Sequence, residues 1–385
     1  MRGHGVGGSG PGRPVVTAYR VVERDFDSFF RVPFVQYGPA SAYVSPFRAD
    51  LHELLDGRRN PTFPGTQTLT YFTVLDGTTP VGRVTAHIHR ASNERYGQHA
   101  GSFGYFDCGD DAEAAGLLLD AASTWLASHG CDAIAGNFNL TAMQEMGVVV
   151  DGHERAPFLA QHHNPSWIPG LLRQNGFESY FPMTSWRLDL AHTDPESLLG
   201  PKQRAILEDP DFRVEPIRRR GFRAAMDATW RLLNASFDPN PLFVPLTREE
   251  FSFQADRMLW WIDSRIAHLL TFRGEPVGVI ACLPDVNPLL RDTASRLTWG
   301  TPVHYARFRR SRTRASLIFG GVAPEMQNRG AAAVLLHASL TGMRCAGYRE
   351  LGVTWISDTN APSLKQMEKL GAERHHRLSL FRRGL

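Results

Sequence analysis

The sequence predicts an α/β protein with a mixed (α+β) sheet, divided into two lobes. Three observations carry this reading. The chain has 385 residues, and a prior of roughly 150 residues per domain gives two or three domains. Runs rich in Val, Thr, Tyr and Phe alternate with apolar residues at helical spacing, the pattern of a sheet covered by helices. One order of elements (hairpin, strand, helix, strand, helix) occurs twice along the chain.

The composition, 42% hydrophobic and 21% charged, is that of an ordinary globular protein. A formal charge of +3 is nearly balanced and does not by itself argue for nucleic acid or membrane. Cys108, Cys131, Cys282 and Cys345 show no Cys-x-x-Cys spacing. They are expected as buried thiols in a reducing compartment, with no disulfide or zinc framework. No apolar run reaches the roughly 18 residues that span a bilayer. Residues 1–14 are polar and glycine-rich, a flexible leader without an apolar signal core. The expected location is cytoplasmic.

Taken in order, residues 14–23 suggest an opening strand through Val15, Val16, Val21 and Val22, with 26–34 packed beside it and a short helix at 50–56. Strands at 67–75 and 80–89 flank Asp76 and Gly77, a hairpin signal. A strand at 100–108, a helix at 112–129, a strand at 131–137 and a helix at 165–174 complete the first set. The expected boundaries are a first lobe at 15–192, a connection at 193–210 and a second lobe at 211–385. In the second lobe a strand at 211–218 leads to a helix at 223–235. Thr247 and Glu250 frame a capping box, and 265–272 with 276–283 form a hairpin around Arg273 and Gly274.

Residues 320–345, GGVAPEMQNRGAAAVLLHASLTGMRC, organise this half. A strand at 316–319 enters a small-residue turn, and Val334, Leu335, Ala338 and Met343 mark the apolar face of the helix after it. Such a turn aims backbone N–H groups at one spot, and the helix dipole adds roughly half a positive charge, which suits a pyrophosphate. A strand at 350–357 and a helix at 361–370 follow, with Gly371 as its stop.

The pattern Gln327-x-x-Gly330-x-Ala332 resembles the pyrophosphate loop of the GNAT-fold N-acyltransferases, which bind coenzyme A. Asn360 and the Lys369-Leu370-Gly371 helix end extend the resemblance. Phe243-Val244-Pro245-Leu246-Thr247, Leu283-Pro284-Asp285-Val286-Asn287 and Trp355-Ile356 look like marks of a two-lobed bacterial group. The bacterial ceramide synthases are similar to it. The resemblance implies two GNAT-like lobes, the C-terminal one with an intact acyl-CoA pyrophosphate loop. It implies an acyl-CoA-dependent N-acyltransferase moving an acetyl or longer acyl group to a small-molecule or lipid-like amine in the cleft between lobes. No metal and no nucleic acid are expected. The alternatives are an aminoacyl-tRNA-dependent transferase of the same fold and a catalytically inactive GNAT-like binding protein.

On this reading Val322 pairs with pantetheine, the amides of Gln327, Asn328, Arg329, Gly330, Ala331 and Ala332 cradle the pyrophosphate, and Asn360 lies near the donor. Arg329 either pairs with a phosphate or is a solvated loop residue. Many GNAT enzymes carry a tyrosine seven residues beyond the asparagine, which protonates the leaving thiolate; Met367 stands there, and a thioether donates no proton. In the first lobe the turn at Gly109, Asp110, Asp111 and Glu113 carries carboxylates that repel a pyrophosphate, so this lobe is expected to shape the acceptor side.

Candidates for the base are Glu145, His153, Glu154, His162, His163 and Asp285, of which Glu145 and Asp285 lead. Glu145 sits beside an apolar stretch; a partly buried carboxylate there has a raised pKa, or it caps a turn or pairs with an arginine. Asn139, His162 and Asn287 are candidate acceptor ligands. Asp285 and Asn287 either bind the acceptor or end a strand. His162 and His163 are expected to point apart as neighbours on a strand. The run 307–314, with Arg307, Arg309, Arg310, Arg312 and Arg314, is expected as a solvated edge loop. It could also meet an acidic partner, a phospholipid surface or the adenosine 3′-phosphate.

Overall fold

The computed structural model describes residues 19–385 apart from Ala40, Pro239 and Pro241. The expected leader at 1–14 lies outside these residues. The first half comprises β1 (Tyr19–Glu23), α1 (Phe26–Gln36), α2 (Arg48–Leu55), β2 (Leu69–Asp76), β3 (Thr79–His87), α3 (Arg90–Tyr96) and β4 (Ala100–Cys108). It continues with α4 (Ala112–Ser128), β5 (Ala133–Gly136), β6 (Val148–Asp151), α5 (Ile168–Gln174) and β7 (Glu178–Asp189). After α6 (Pro201–Glu208), the second half comprises β8 (Phe212–Pro216), α7 (Phe222–Phe237), α8 (Arg248–Ala255), β9 (His268–Phe272), β10 (Glu275–Pro284), α9 (Asn287–Asp292) and α10 (Thr301–Ser311). It ends with β11 (Arg314–Val322), α11 (Ala331–Cys345), β12 (Glu350–Ser357), α12 (Ala361–Lys369) and β13 (Glu373–Gly384).

Local chemistry accounts for many boundaries. Thr247 and Glu250 form both bonds of the capping box at the start of α8. The Asp76–Gly77 turn joins β2 to β3, with Gly77 at φ 59. Gly371, at φ 67, stops α12 while the Ala372 N–H donates to the Met367 carbonyl at 3.0 Å, a helix end that needs a left-handed residue.

The strands join one 13-stranded sheet in the order β1-β2-β3-β4-β5-β13-β7-β12-β11-β10-β9-β8, with β6 pairing β13. Two strands absent from the sequence expectation, β7 and β13, make it continuous. β7 ends the first half yet pairs with β12 in the second, from Glu350↔Asp189 to Ser357↔Met183. β13 ends the chain yet lies between β5, by Phe381↔Gly136, and β7, by Glu373↔Arg187. Each half thus lends its last strand to the other, and backbone pairing covers edges that would otherwise be exposed.

The halves also share a device that opens the sheet. In the second, an extra residue at Ile318 bulges β11 between the pairs Ala281↔Phe319 and Cys282↔Leu317. In the first, β4 bulges between Arg83↔Asp107 and Thr85↔Gly104. Such bulges bend and twist a strand. The parallel neighbours then part: β11 and β12 pair only from Arg314↔Glu350 to Leu317↔Val353, and β4 and β5 only from Ala100↔Ala133 to Ser102↔Ala135. Leu118, Leu119 and Leu126 of α4 pack beneath the first half, and Val334, Leu335, Leu340 and Met343 of α11 beneath the second.

Three expectations need correction. The arginine run begins on helix α10 and ends in β11; Phe308 is buried and anchors the helix, so it is not an edge loop. His162 and His163 lie in a loop, and both are buried; strand alternation does not separate them. Cys345 is exposed, unlike Cys108, Cys131 and Cys282, and all four are free thiols. No described helix is long and apolar enough to cross a membrane.

Candidate active site

Past Leu317 and Val353 the gap between β11 and β12 stays open. Thr354 Oγ1 reaches the Ile318 carbonyl at 3.5 Å near its apex. Val322 closes β11, its carbonyl accepting from Ser236 Oγ at 2.7 Å. Gln327, Asn328 and Arg329 are exposed in the loop that follows. Gly330, at φ 101, is the N-cap of α11, and Ala331 and Ala332 open the helix with amides that have no intrahelical partner. A Cβ on Gly330 would stand 2.9 Å from Gln203 Nε2 of α6. Asn360 caps α12, accepting from the Ser363 N–H at 3.3 Å. Met367, two turns on, is buried in the core of the second half, so no proton donor stands at that position.

The matching gap in the first half is filled by the chain itself. The Phe138 N–H donates to the Phe103 carbonyl at 2.8 Å. Asn139 Oδ1 accepts from the Tyr105 N–H at 2.8 Å and Asn137 Oδ1 from the Phe106 N–H at 3.3 Å. Gly104 is required, since a Cβ would stand 1.6 Å from the Phe138 carbonyl. The start of α4 is occupied too, by Asp111, which accepts from the Ala114 N–H at 2.9 Å and from the Tyr19 hydroxyl.

This plug turns back on itself as a small hairpin: the Gly147 N–H donates to the Asn137 carbonyl at 2.8 Å, and the Asn139 N–H to the Glu145 carbonyl at 2.9 Å. Glu145 thereby reaches a small cavity between the halves. Tyr43, Val44, Pro157, Gln161, His162, His163 and Asn287 complete its lining. Gln161 ties the cavity to the open gap, its Nε2 donating to the Val353 carbonyl at 2.9 Å, and Val353 is the last β12 residue in register with β11.

Loss of water around Glu145 pushes its carboxyl up to about 7; the hydrogen bond from Asn139 Nδ2 at 3.1 Å and the charge of Arg83 work against the rise. Burial holds His162 down to about 4 and His163 to about 3, so both rings are neutral near pH 7. His163 Nδ1 is buried without a hydrogen-bond partner among the described residues.

Below the cavity lies a buried charge pair that the sequence reading missed. Arg83 is fully buried on β3 and donates from Nε to Asp107 Oδ2 at 2.8 Å, from Nη1 to the Phe29 carbonyl at 3.2 Å and from Nη2 to Tyr43 Oη at 2.7 Å. Tyr37 donates to Asp107 Oδ1 at 2.8 Å. An arginine inside the apolar run of β3 was the available signal. Tyr43 and Gln161 carried none.

The remaining candidates have other surroundings. Asp285 is buried beside the cavity, not on its wall: Oδ1 accepts from the Leu159 and Asn287 N–H groups, each at 3.1 Å, and Oδ2 faces Arg314 Nε at 3.4 Å. Asn287 lines the cavity and ties the halves, donating from Nδ2 to the Pro157 carbonyl at 3.0 Å. His153 meets the Asn164 carbonyl at 3.0 Å, and Glu154 is exposed beside Arg155. Among the described residues no cluster of His, Cys, Asp and Glu could hold a metal ion.

A bulged sheet that parts over a glycine loop and helix N-terminus, present twice in one chain, defines a tandem GNAT fold. The chain has this fold, and its residues 227–372 match the acetyltransferase (GNAT) family model. It is 25% identical to Protein YghO of Escherichia coli (strain K12) over 372 residues, 93% of each chain. It is 22% identical to the bacterial ceramide synthase of Caulobacter vibrioides (strain NA1000 / CB15N) over 351 residues, 89% of this chain and 90% of that one. Among solved structures, a tandem GNAT protein from the clavulanic acid biosynthesis pathway superposes with a TM-score of 0.59 at 12% identity, covering 95% of this chain and 98% of that one.

Proposed function

We propose that the protein is an acyl-CoA-dependent N-acyltransferase with one donor site, in the second lobe (211–385). The first lobe (15–192) shapes the acceptor side. The observation that carries this reading is the contrast between the two gaps. The β11–β12 gap is open and ends at a helix N-terminus free of carboxylates, whereas its counterpart is filled by Asn137, Phe138 and Asn139 and capped by Asp111. The amides of Asn328, Gly330, Ala331 and Ala332 and the Arg329 side chain suit the pyrophosphate of coenzyme A, whereas the Gln327 and Arg329 amides donate to the Pro324 and Met326 carbonyls at 3.2 and 3.4 Å. The backbone of Val322 suits pantetheine, and Asn360 stands at the far side of the gap.

The cavity beyond Gln161 is no larger than a water molecule, so it suits the amine nitrogen alone, with Asn287 and the neutral His162 and His163 as hydrogen-bonding groups and the rest of the acceptor outside it. Glu145 is the proposed base, because a carboxylate titrating near 7 accepts a proton efficiently at neutral pH. The amine nitrogen attacks the thioester carbonyl, a C–N bond forms, and the amine proton passes to Glu145. The C–S bond then breaks and the thiolate leaves. Since Met367 cannot protonate it, the departing sulfur takes its proton from solvent. Asp285 is proposed as a positioning carboxylate that holds the 157–161 segment and Asn287 in place. The acyl group is acetyl or longer, and the similarity to a ceramide synthase supports a lipid-like acceptor.

The test is thiol release from acetyl-, octanoyl- and palmitoyl-CoA in the presence of primary amines of graded chain length. Amine-dependent release that falls by about 10²–10⁴ in Glu145→Gln supports the reading. Failure of every donor and amine, or full activity in the variant, contradicts it.

A further inference from the structure

The four most exposed large apolar side chains among the described residues are Trp299 (102%), Trp260 (68%), Leu297 (66%) and Val303 (66%). They belong to one surface. Leu297 and Trp299 precede α10, and Val303 lies on its first turn. Trp260 is fixed beside the helix, its carbonyl accepting from Tyr305 Oη at 3.4 Å and from Arg219 Nη2 at 3.0 Å. The inner face of α10 is committed to the core through Phe308, while Tyr305 packs on Trp261 at 5.9 Å between ring centroids. Its outer face carries Val303, Ala306, Arg307 and Arg310 at helical spacing, all exposed.

From Thr293 to Pro324 the charge has one sign, with no Asp or Glu. Arg296, Arg307, Arg309 and Arg310 are exposed, and none takes part in an ion pair among the described residues. Arg218, Arg219 and Arg220 are exposed next to Trp260. The acids around this surface are Asp292, which faces His304 at 3.9 Å, Asp263, which pairs with Arg312 at 2.8 Å, and Asp256, exposed on the turn that ends at Trp260.

We propose that α10 and Trp260 form a docking surface for an anionic lipid bilayer. Indole rings favour the boundary between headgroups and hydrocarbon, where an apolar body and a polar N–H are both satisfied. Arginines beside them are drawn to anionic headgroups, and the combination of buried apolar area and basic charge is what seats an interfacial helix. Nucleic acid would use the arginines but leave the exposed Trp, Leu and Val unsatisfied.

The experiment is co-sedimentation of the full chain with sucrose-loaded vesicles, either of phosphatidylcholine alone or of phosphatidylcholine with phosphatidylglycerol at two to one. Wild type is expected to pellet with the anionic vesicles at low salt, with a blue shift of its tryptophan emission. Arg307→Glu/Arg310→Glu is expected to weaken binding by about tenfold or more. Trp299→Ser/Val303→Ser is expected to lose binding and most of the blue shift while keeping its circular dichroism. Equal binding to neutral vesicles, no binding to either, or variants indistinguishable from wild type would overturn the proposal. Salt-sensitive binding of tRNA in place of vesicles would assign the surface to nucleic acid.

Discussion

Asn139 and Glu145 are bonded twice: the Asn139 N–H donates to the Glu145 carbonyl at 2.9 Å, and Asn139 Nδ2 donates to Glu145 Oε2 at 3.1 Å. The same asparagine's Oδ1 accepts from the Tyr105 N–H and from Asn137 Nδ2. The side chain is therefore engaged within the first half, and its proposed role is to position Glu145. Replacing Asn139 by Asp keeps an acceptor for Tyr105 but removes the bond that lowers the Glu145 pKa and adds a like charge. The acid limb of the pH profile of kcat/KM is expected to rise by about one unit, with activity recovering at high pH. A uniform loss at every pH would mean that Asn139 acts only on the fold.

Glu145 also links pH to stability. Its carboxyl titrates at about 7 when folded, above its ordinary value of 4.5. The folded state holds this proton more tightly, so its contribution is full below pH 4.5 and is lost as pH rises through 7. The span corresponds to about 3 kcal/mol. Glu145→Gln removes the dependence, so urea unfolding should find the variant more stable than wild type above pH 7 and little different near pH 4.5. A variant that is less stable at pH 8 would contradict the burial argument.

The Arg83–Asp107 pair is expected to behave as a buried charge pair whose loss strands a partner. Arg83→Met leaves Asp107 uncompensated and should cost about 3–5 kcal/mol in denaturant unfolding. It also withdraws the donor that fixes Tyr43 on the cavity wall.

Exchange of the last strands makes the halves interdependent. Deleting residues 373–385 removes β13 and exposes long edges of β5 and β7. Unpaired edges template aggregation, so the truncated chain is expected in the excluded volume of a sizing column, whereas the full chain should elute as a discrete species.

Much of the second half was legible in the sequence because its signals are local. Gly330, the apolar face of α11, Asn360 at the start of α12 and Gly371 as a stop each act within a few residues. The Asp76–Gly77 hairpin and the strand at Ala100–Cys108 were legible for the same reason. β7 and β13 were not. Their core faces depend on partners far along the chain, and β13 (ERHHRLSLFRRG) reads as a charged tail until His375 and His376 are buried. The cavity was half legible. Glu145, His162, His163 and Asn287 stood out by type, but only the fold joins them with Tyr43 and Gln161. The backbone partners of Asp285 and Asn139 could not be read from the sequence, because they lie on distant segments.

The central claim is a single donor site at Gly330, and calorimetric titration of coenzyme A into wild type and Gly330→Glu tests it most directly. The glutamate adds a negative charge at the helix N-terminus and a Cβ at a left-handed position crowded by Gln203. Wild type is expected to bind one coenzyme A per chain, and the variant none at the same concentration. No binding by wild type, two sites per chain, or a variant that binds as well as wild type would contradict the account.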